Sequence, residues 1–339
     1  MTLLHRKSWR SLSLAIMAGI ALFGFAVQME EHHTMHTMPG FLEPFDAKGD
    51  VPKCARWKEH MPEKRDPEVY RIYMEARKRW RTKIAWEFTR EELLSISADV
   101  QFAASKGDWG AKALLAHFYL QGLGPLPTNN VLQKDLNKAV EIQREAVANG
   151  QPWGYYDLGV AYEYGYGDIE PDEKIAWGYY LKAAKLGSPD AQMALAAAYR
   201  KAERPEAELA MFQCAYAQGH AAAAEILAID AEGMGRLTDS LRLYQDGVKL
   251  GGKNCAASLY LIFGKDKSSA KDNSLDGHPV TADPERSRRY EEIMNALAIN
   301  PDLKFGRLDK VLPLPPAALP EWHGIEAALT PEPEGPPTY

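Results

Sequence analysis

The sequence predicts an all-α protein: a right-handed α-solenoid of about five antiparallel helix pairs, with an N-terminal helical cap and a proline-rich extended C-terminal segment. Three observations predict this fold. Glycines recur at intervals of 32 to 43 residues, similar residues stand at fixed distances after each glycine, and others stand at fixed distances before the next one. Such periods are typical of stacked repeats, because no single helix pair can bury its apolar face alone. The repeat glycines are Gly107, Gly150, Gly187, Gly219 and Gly251.

The first helix of each repeat, helix A, follows the glycine. A small residue stands four positions after each glycine and a leucine stands eight positions after it, so both lie on one stripe of a helix with 3.6 residues per turn. The leucines are Leu115, Leu158, Leu195, Leu227 and Leu259. We therefore expect Leu158 and Leu195 to be buried at equivalent places in adjacent repeats.

The second helix, helix B, precedes the next glycine. Small residues stand four positions before that glycine and large apolar residues stand eight positions before it. The small residues are Ala146, Ala183, Ala215 and Gly247, and the large ones are Ile142, Tyr179, Met211 and Leu243. Each glycine fits the left-handed position that ends a helix, and the small residues allow close helix approach.

Capping signals predict the helices on the N-terminal side of the repeats. A helix should begin at Pro67, directly after an aspartate, and extend to about Phe88. A capping box at Thr89 should open a second helix that extends to about Lys106. These two helices form the expected N-terminal cap.

The fifth repeat differs from the others. Its helix A should end near Phe263, a polar insertion follows, and helix B should extend from Pro284 to about Ile299. The apolar, proline-rich residues 311–322 should cover the open end of the stack. The expected parts of the chain are a signal peptide or anchor (1–28), a linker (29–65), the cap (66–106), the repeats (107–264), the altered repeat with a C-terminal cap (265–329) and a disordered tail (330–339).

The N-terminus carries an export signal. Basic residues precede an uncharged apolar run, residues 11–27, and acidic residues follow it. This charge order predicts that the rest of the chain lies in the periplasm. The run is short for a membrane span, so an inner-membrane anchor and a cleaved signal peptide both stay open, with the anchor favoured.

Several functional classes lack support in the sequence. A net charge of −6 argues against a nucleic-acid partner. Because no nucleophile motif or phosphate-binding loop is present, we expect a protein that is not an enzyme and has no cofactor. The tract around His32, His33 and His36 offers imidazole and thioether groups that suit copper, although a polar linker is the simpler interpretation.

The three cysteines fall in different settings. Residues at the same distance from the repeat glycines form a column. Cys255 stands in a column of small residues, which predicts a buried thiol, whereas Cys214 shares its column with charged residues, which predicts exposure. Cys54 falls in the linker. Their spacing supports no particular disulfide.

Repeat two and the flanking segments resemble known families. Leu158-Gly159, Tyr162, Gly165, Gly167 and Ala183-Ala184 resemble the Sel-one-like repeat (SLR) family, a relative of the tetratricopeptide repeats. That resemblance covers roughly residues 107–263 and implies a scaffold or adaptor without chemistry of its own. The flanks, residues 88–93 and 311–322 in particular, resemble periplasmic immunity proteins of type VI secretion phospholipase effectors.

The two resemblances lead to two hypotheses. The first is a periplasmic solenoid that binds and inhibits a secreted phospholipase-type toxin, and the second is an envelope scaffold, adaptor or regulator. Columns five and fourteen after the repeat glycines mix polar and aromatic residues, which favours a recognition surface over a core. Packing between repeats is the alternative for these rings. The expected partner-binding residues are Lys112, Tyr155, Tyr164, Tyr166, Gln192 and Lys201.

Overall fold

The structure is a computed structural model that describes residues 37–61, 65–264 and 280–331. Within these ranges the regular elements are helices, and extended pairing is limited to two isolated bridges. The α-helices are α1 (Pro67–Trp80), α2 (Arg90–Ser105), α3 (Trp109–Gln121), α4 (Leu136–Ala148), α5 (Pro152–Tyr164), α6 (Glu173–Lys185), α7 (Pro189–Lys201), α8 (Pro205–Ala217), α9 (Ala221–Gly233), α10 (Leu237–Lys249), α11 (Lys253–Gly264), α12 (Pro284–Ile299) and α13 (Leu308–Val311).

Helices that follow one another in the sequence pack against one another. The pairs α3–α4, α5–α6, α7–α8, α9–α10 and α11–α12 are the five predicted repeats, and each also contacts the next pair. This order of contacts confirms the predicted all-α solenoid. The helices α1 and α2 pack together and continue onto α3, as expected for an N-terminal cap.

The repeat glycines adopt the predicted left-handed conformation. Gly107, Gly187 and Gly251 each have φ of +87°, Gly219 has +86° and Gly150 has +70°. A residue with a Cβ atom is strained in this region, so the glycine allows each helix B to end and the next helix A to begin.

The buried stripe and the close helix approach are also confirmed. Leu158 is 3% exposed and Leu195 is fully buried. A Cβ atom on Gly154 would lie 2.4 Å from the Cβ of Ala146, so α4 and α5 approach too closely for any side chain there. The small-residue columns therefore set the spacing between adjacent repeats.

The first cap helix is shorter than predicted. It ends at Trp80, and a separate 3-10 turn, Ala85–Glu87, follows before α2. Phe88 follows this turn and is 5% exposed, in a core cluster that it shares with residues of α1, α2 and α3. The predicted capping box is present, since the Thr89 side chain accepts from the Glu92 amide while the Glu92 carboxylate accepts from the Thr89 amide.

The C-terminal segment covers the last repeat, as predicted. Leu312 is fully buried against α12. Proline-rich backbone offers carbonyl groups but few amide donors, and two buried arginines of α12 use those carbonyls. Arg286 Nε donates to the carbonyl of Pro313 at 3.1 Å, and Arg289 Nη2 donates to that of Pro320 at 2.9 Å.

A buried ion pair joins the N-terminal cap to the residues after α12. Arg77 of α1 donates from Nε and Nη2 to the two carboxylate oxygens of Asp302, each at 2.8 Å, and Arg81 Nε donates to the same carboxylate at 3.2 Å. Burial alone would raise the pKa of Asp302, but the two guanidinium groups hold it below its usual value. The contact links residues 225 positions apart.

Candidate protein-binding surface

The segment 38–61, named the strap here, packs against the repeats. It belongs to the predicted linker 29–65, yet Leu42 is 7% and Trp57 is 5% exposed. Leu42 lies over Gly178 of α6, and the Trp57 ring meets Trp109 of α3 edge-on, with ring centroids 6.0 Å apart. Two large buried apolar residues, spread along a polar segment, therefore help to dock the strap, a pattern that composition alone did not reveal.

Polar side chains of the repeats hold the strap backbone. Arg204 Nη1 donates to the carbonyls of Ala47 and Gly49, at 2.9 and 2.5 Å. Near its other end, the Trp57 amide donates to Gln218 Oε1 at 2.9 Å. Gly187 has a second role here, because a Cβ atom at that position would lie 2.3 Å from the strap backbone.

A disulfide joins Cys54 of the strap to Cys214 of α8, with the two Cα atoms 5.5 Å apart. The sequence predicted an exposed Cys214, and this is wrong: the strap covers it, and only 5% of the residue is exposed. The buried thiol predicted at Cys255 is confirmed. Burial raises the pKa of Cys255 to about 12, so it stays a thiol at neutral pH.

Tyr155 and Gln192, expected to be exposed in column five, lie beneath the strap. Tyr155 is 8% exposed, and its ring centroid lies 6.3 Å from those of Phe41 and Tyr179. Gln192 is 1% exposed, and its Nε2 donates to the carbonyl of Ala55 at 3.1 Å. At these two positions, the aromatic and polar side chains of the column therefore contact the strap.

Lys112 and Tyr166 are engaged within the repeats. Lys112 of α3 forms an ion pair with Glu145 of α4. The Tyr166 hydroxyl donates to the backbone carbonyl of Asp157 at 3.2 Å and accepts from Gln143 at 3.1 Å. Burial raises the pKa of Tyr166 to about 12. Lys112 therefore links α3 to α4, and Tyr166 links α4 to α5.

Tyr164 and Lys201, the predicted residues of column fourteen, reach the surface. Tyr164 is 71% exposed at the end of α5, and Lys201 is exposed at the end of α7. Of the six predicted residues, these two are placed best for contact with another protein. A role for any of the six in partner binding stays a prediction.

Lys201 borders a surface groove of about 530 Å³ between the strap and the repeats. The strap supplies Met38 and residues 44–47, α6 supplies Glu173, Lys174 and Trp177, and α7 supplies Ala198 together with Lys201. Phe45 stacks on Trp177 with ring centroids 5.0 Å apart. Sequence reasoning missed this groove because Phe45 stands some 130 positions from Trp177.

The described residues hold no group of three histidine, cysteine, aspartate or glutamate side chains placed to bind a metal ion. The weak metal candidates His32, His33 and His36 lie outside the described residues, as does the predicted membrane segment 11–27. Within residues 37–61, 65–264 and 280–331, no helix is both long and apolar enough to cross a membrane.

Comparison with known proteins extends the sequence resemblances. Residues 255–335 match a family model described as a domain of unknown function, DUF6396, which covers the altered fifth repeat and the C-terminal segment. No curated protein sequence matches the chain significantly.

The chain is similar to bacterial immunity proteins of known structure. The immunity protein Pa5087 from Pseudomonas aeruginosa is 29% identical, with a TM-score of 0.61 over 78% of this chain and 94% of that one. The immunity protein PA5088 from the same organism is 27% identical, with a TM-score of 0.60 and the same coverage. PA5086 of Pseudomonas aeruginosa is 27% identical, with a TM-score of 0.65 over 79% of this chain and 96% of that one. Sel1 repeat proteins are also found, at lower similarity.

Proposed function

We propose that this protein is a periplasmic immunity protein that binds a secreted phospholipase-type toxin and blocks it. The observation that carries this proposal is the similarity to two immunity proteins over 94% of their length, at 27% and 29% identity. A repeat solenoid suits this task, because blocking an enzyme requires a rigid surface that covers its cleft and no chemistry of its own.

The proposed location in the periplasm rests on two features. The charge order around residues 11–27 predicts export. The Cys54–Cys214 disulfide suits an oxidising compartment, since disulfides are rare in the reducing cytoplasm. A reporter fused after Tyr339 should be active outside the inner membrane, and cytoplasmic activity would contradict both the location and the immunity role.

The test of the function uses a phospholipase-type effector that the protein captures in a pulldown from a detergent extract. The purified protein should inhibit its lipid hydrolysis at a stoichiometric ratio, and periplasmic co-expression should restore growth of cells that carry the effector. Undiminished hydrolysis at a tenfold molar excess would reject inhibition of that enzyme. An Arg204→Ala variant, in which the strap loses two backbone contacts, measures how far the strap contributes.

A further inference from the structure

One face of helices A stays open along four repeats. It consists of the residues three, six, seven, ten and thirteen positions after the repeat glycines on α5, α7, α9 and α11, and it is named the open face here. These positions lie on one side of a helix, and all of them except the buried Trp153 are exposed or half-buried. We infer that the open face binds a segment of a protein partner in which a lysine or arginine stands beside aliphatic residues. The inference rests on the proposed function only in taking the ligand to be a protein.

Side-chain contacts join the helices of the open face into a continuous surface. Arg200 Nη2 of α7 donates to Asp230 Oδ1 of α9 at 3.1 Å. Asn254 Nδ2 of α11 donates to Glu225 Oε2 of α9 at 3.2 Å. Helices A of successive repeats therefore lie side by side, and one extended segment can contact several of them.

An apolar row follows the middle of the open face. The residue ten positions after the repeat glycine is apolar on each of its four helices: Val160, Ala197, Ile229 and Leu261. Ile229 is 46% and Leu261 is 49% exposed, so the core of the protein does not account for them. Single apolar residues on a surface are ordinary, but a row that continues through successive repeats is typical of a contact surface.

Acidic side chains flank this row. The described positions of the open face hold five carboxylates and one guanidinium group, and the latter, Arg200, already pairs with Glu208 and Asp230. Lys201 and Lys253 border the face, one position outside it. Helices α4, α6, α8 and α10, by contrast, hold equal numbers of acidic and basic residues. The negative balance therefore belongs to the open face, and it favours a cationic partner. The five carboxylates are Asp157, Glu163, Asp190, Glu225 and Glu232.

Asp157 is the carboxyl group that calls most strongly for a cation. It is half-buried on α5, and among the described residues its side chain has no hydrogen-bond or ion-pair partner. The nearby Tyr166 hydroxyl donates to the backbone carbonyl of Asp157 instead, and His220 lies beside Asp190, with Nε2 3.8 Å from Oδ1.

The pKa of Asp157 supports the same occupant. Burial and the nearby Asp190 raise this pKa to about 8, because both oppose a negative charge at that place. An ammonium or guanidinium group of the partner supplies the missing opposite charge, so the carboxyl group ionises when the partner binds. An unpaired carboxyl group costs the free protein stability, and contact with a cation offsets that cost.

The first experiment measures, at pH 8, the fluorescence anisotropy of a fluorescein-labelled peptide of alternating lysine and leucine, with a glutamate–leucine peptide as its counterpart. Asp157→Asn with Asp190→Asn should weaken binding of the lysine–leucine peptide at least fivefold, because it removes two carboxylates of the open face. The matched control, Glu141→Gln with Glu291→Gln, removes two exposed carboxylates from α4 and α12 and should bind within twofold of the unaltered protein.

The second experiment tests the apolar row with the same peptide. Ile229→Ser with Leu261→Ser should weaken binding at least fivefold. Its control is Leu94→Ser with Leu209→Ser, since these leucines are 46% and 45% exposed on α2 and α8, outside the open face. The control should bind within twofold of the unaltered protein. Circular dichroism of each variant checks that it folds.

Three results would overturn the inference: no binding of the lysine–leucine peptide, equal binding of the glutamate–leucine peptide, or equal loss in a variant of the open face and its control. Self-association of the unaltered protein in sedimentation, abolished by Asp157→Asn with Asp190→Asn, would make the face a contact between copies and also overturn it. Toxin inhibition is assayed separately. Full inhibition by the same variant would remove this face from the toxin contact and leave the immunity function standing.

Discussion

Two tyrosines of helix α5 test the placement of the strap. Tyr155 is 8% exposed beneath it, whereas Tyr164, nine positions later on the same helix, is 71% exposed. Tyr155→Ala should therefore destabilise the protein strongly, and Tyr164→Ala should leave its stability almost unchanged. The two substitutions remove the same atoms from the same helix, so each is the control for the other.

The magnitude follows from the burial of the ring. A buried aromatic side chain removes roughly 150–250 Å² from water, which at about 25 cal/mol per Å² corresponds to roughly 4–6 kcal/mol. Substitution of a core aromatic by alanine costs about 3–5 kcal/mol, since the surroundings partly relax. We expect a loss in this range for Tyr155→Ala and a change within about 0.5 kcal/mol for Tyr164→Ala.

The assay is urea denaturation followed by circular dichroism, with stability compared at the midpoint of each transition. Tyr155→Phe should behave like the unaltered protein, because burial and ring contacts, rather than the hydroxyl group, hold this side chain. A loss below about 1 kcal/mol for Tyr155→Ala, or an equal loss for Tyr164→Ala, would refute the burial of Tyr155 by the strap.

Three further predictions concern the disulfide, the buried ion pair and the pH dependence of stability. Cys54→Ser with Cys214→Ser should lower the free energy of unfolding by about 5 kcal/mol, because the crosslink spans 160 residues; an unchanged urea midpoint would contradict this. Asp302→Ala should cost about 3–5 kcal/mol at pH 7, since it removes the carboxylate that faces the buried Arg77; a thermal shift no larger than that of a surface substitution would contradict the pairing. Burial, with Asp190 nearby, raises the pKa of Asp157 to about 8 from an ordinary value of 3.8, so between about pH 4 and 8 the folded state keeps a proton that the unfolded state has already lost. Stability should fall as pH rises through that window, by at most ~1.4 kcal/mol per pH unit, and Asp157→Asn should flatten the dependence measured by thermal unfolding across the same window.

The repeat could be predicted because its determinants are local in the sequence. A glycine at a helix end, a leucine eight positions later and small residues where helices touch depend on helical periodicity and on contacts between neighbouring repeats. Leu158 and Leu195 were found in this way, and so was the left-handed conformation of Gly187. Capping residues placed the start of α2 at Arg90 for the same reason.

The candidate site could be predicted only in part. Column composition identified Tyr164 and Lys201 as surface residues, and both are exposed. The same argument misplaced Tyr155 and Gln192, since positions that contact a segment outside the repeat can have the mixed composition of exposed positions. Cys214 was misjudged for that reason too, because its cover comes from Cys54, 160 residues away.

The sequence by itself therefore determined the helix pairs, their order and their spacing, since these follow from the periodicity within each repeat and from contacts between adjacent repeats. Only the tertiary structure decided where the strap lies, that Cys54 meets Cys214, and that Arg77 meets Asp302. The disulfide joins residues 160 positions apart and the ion pair joins residues 225 positions apart, and each contact occurs once in the chain. A periodic pattern cannot predict a contact that occurs once. The surface that is left open for a partner, including the groove beside Trp177, is therefore defined only by the position of the strap on the repeats.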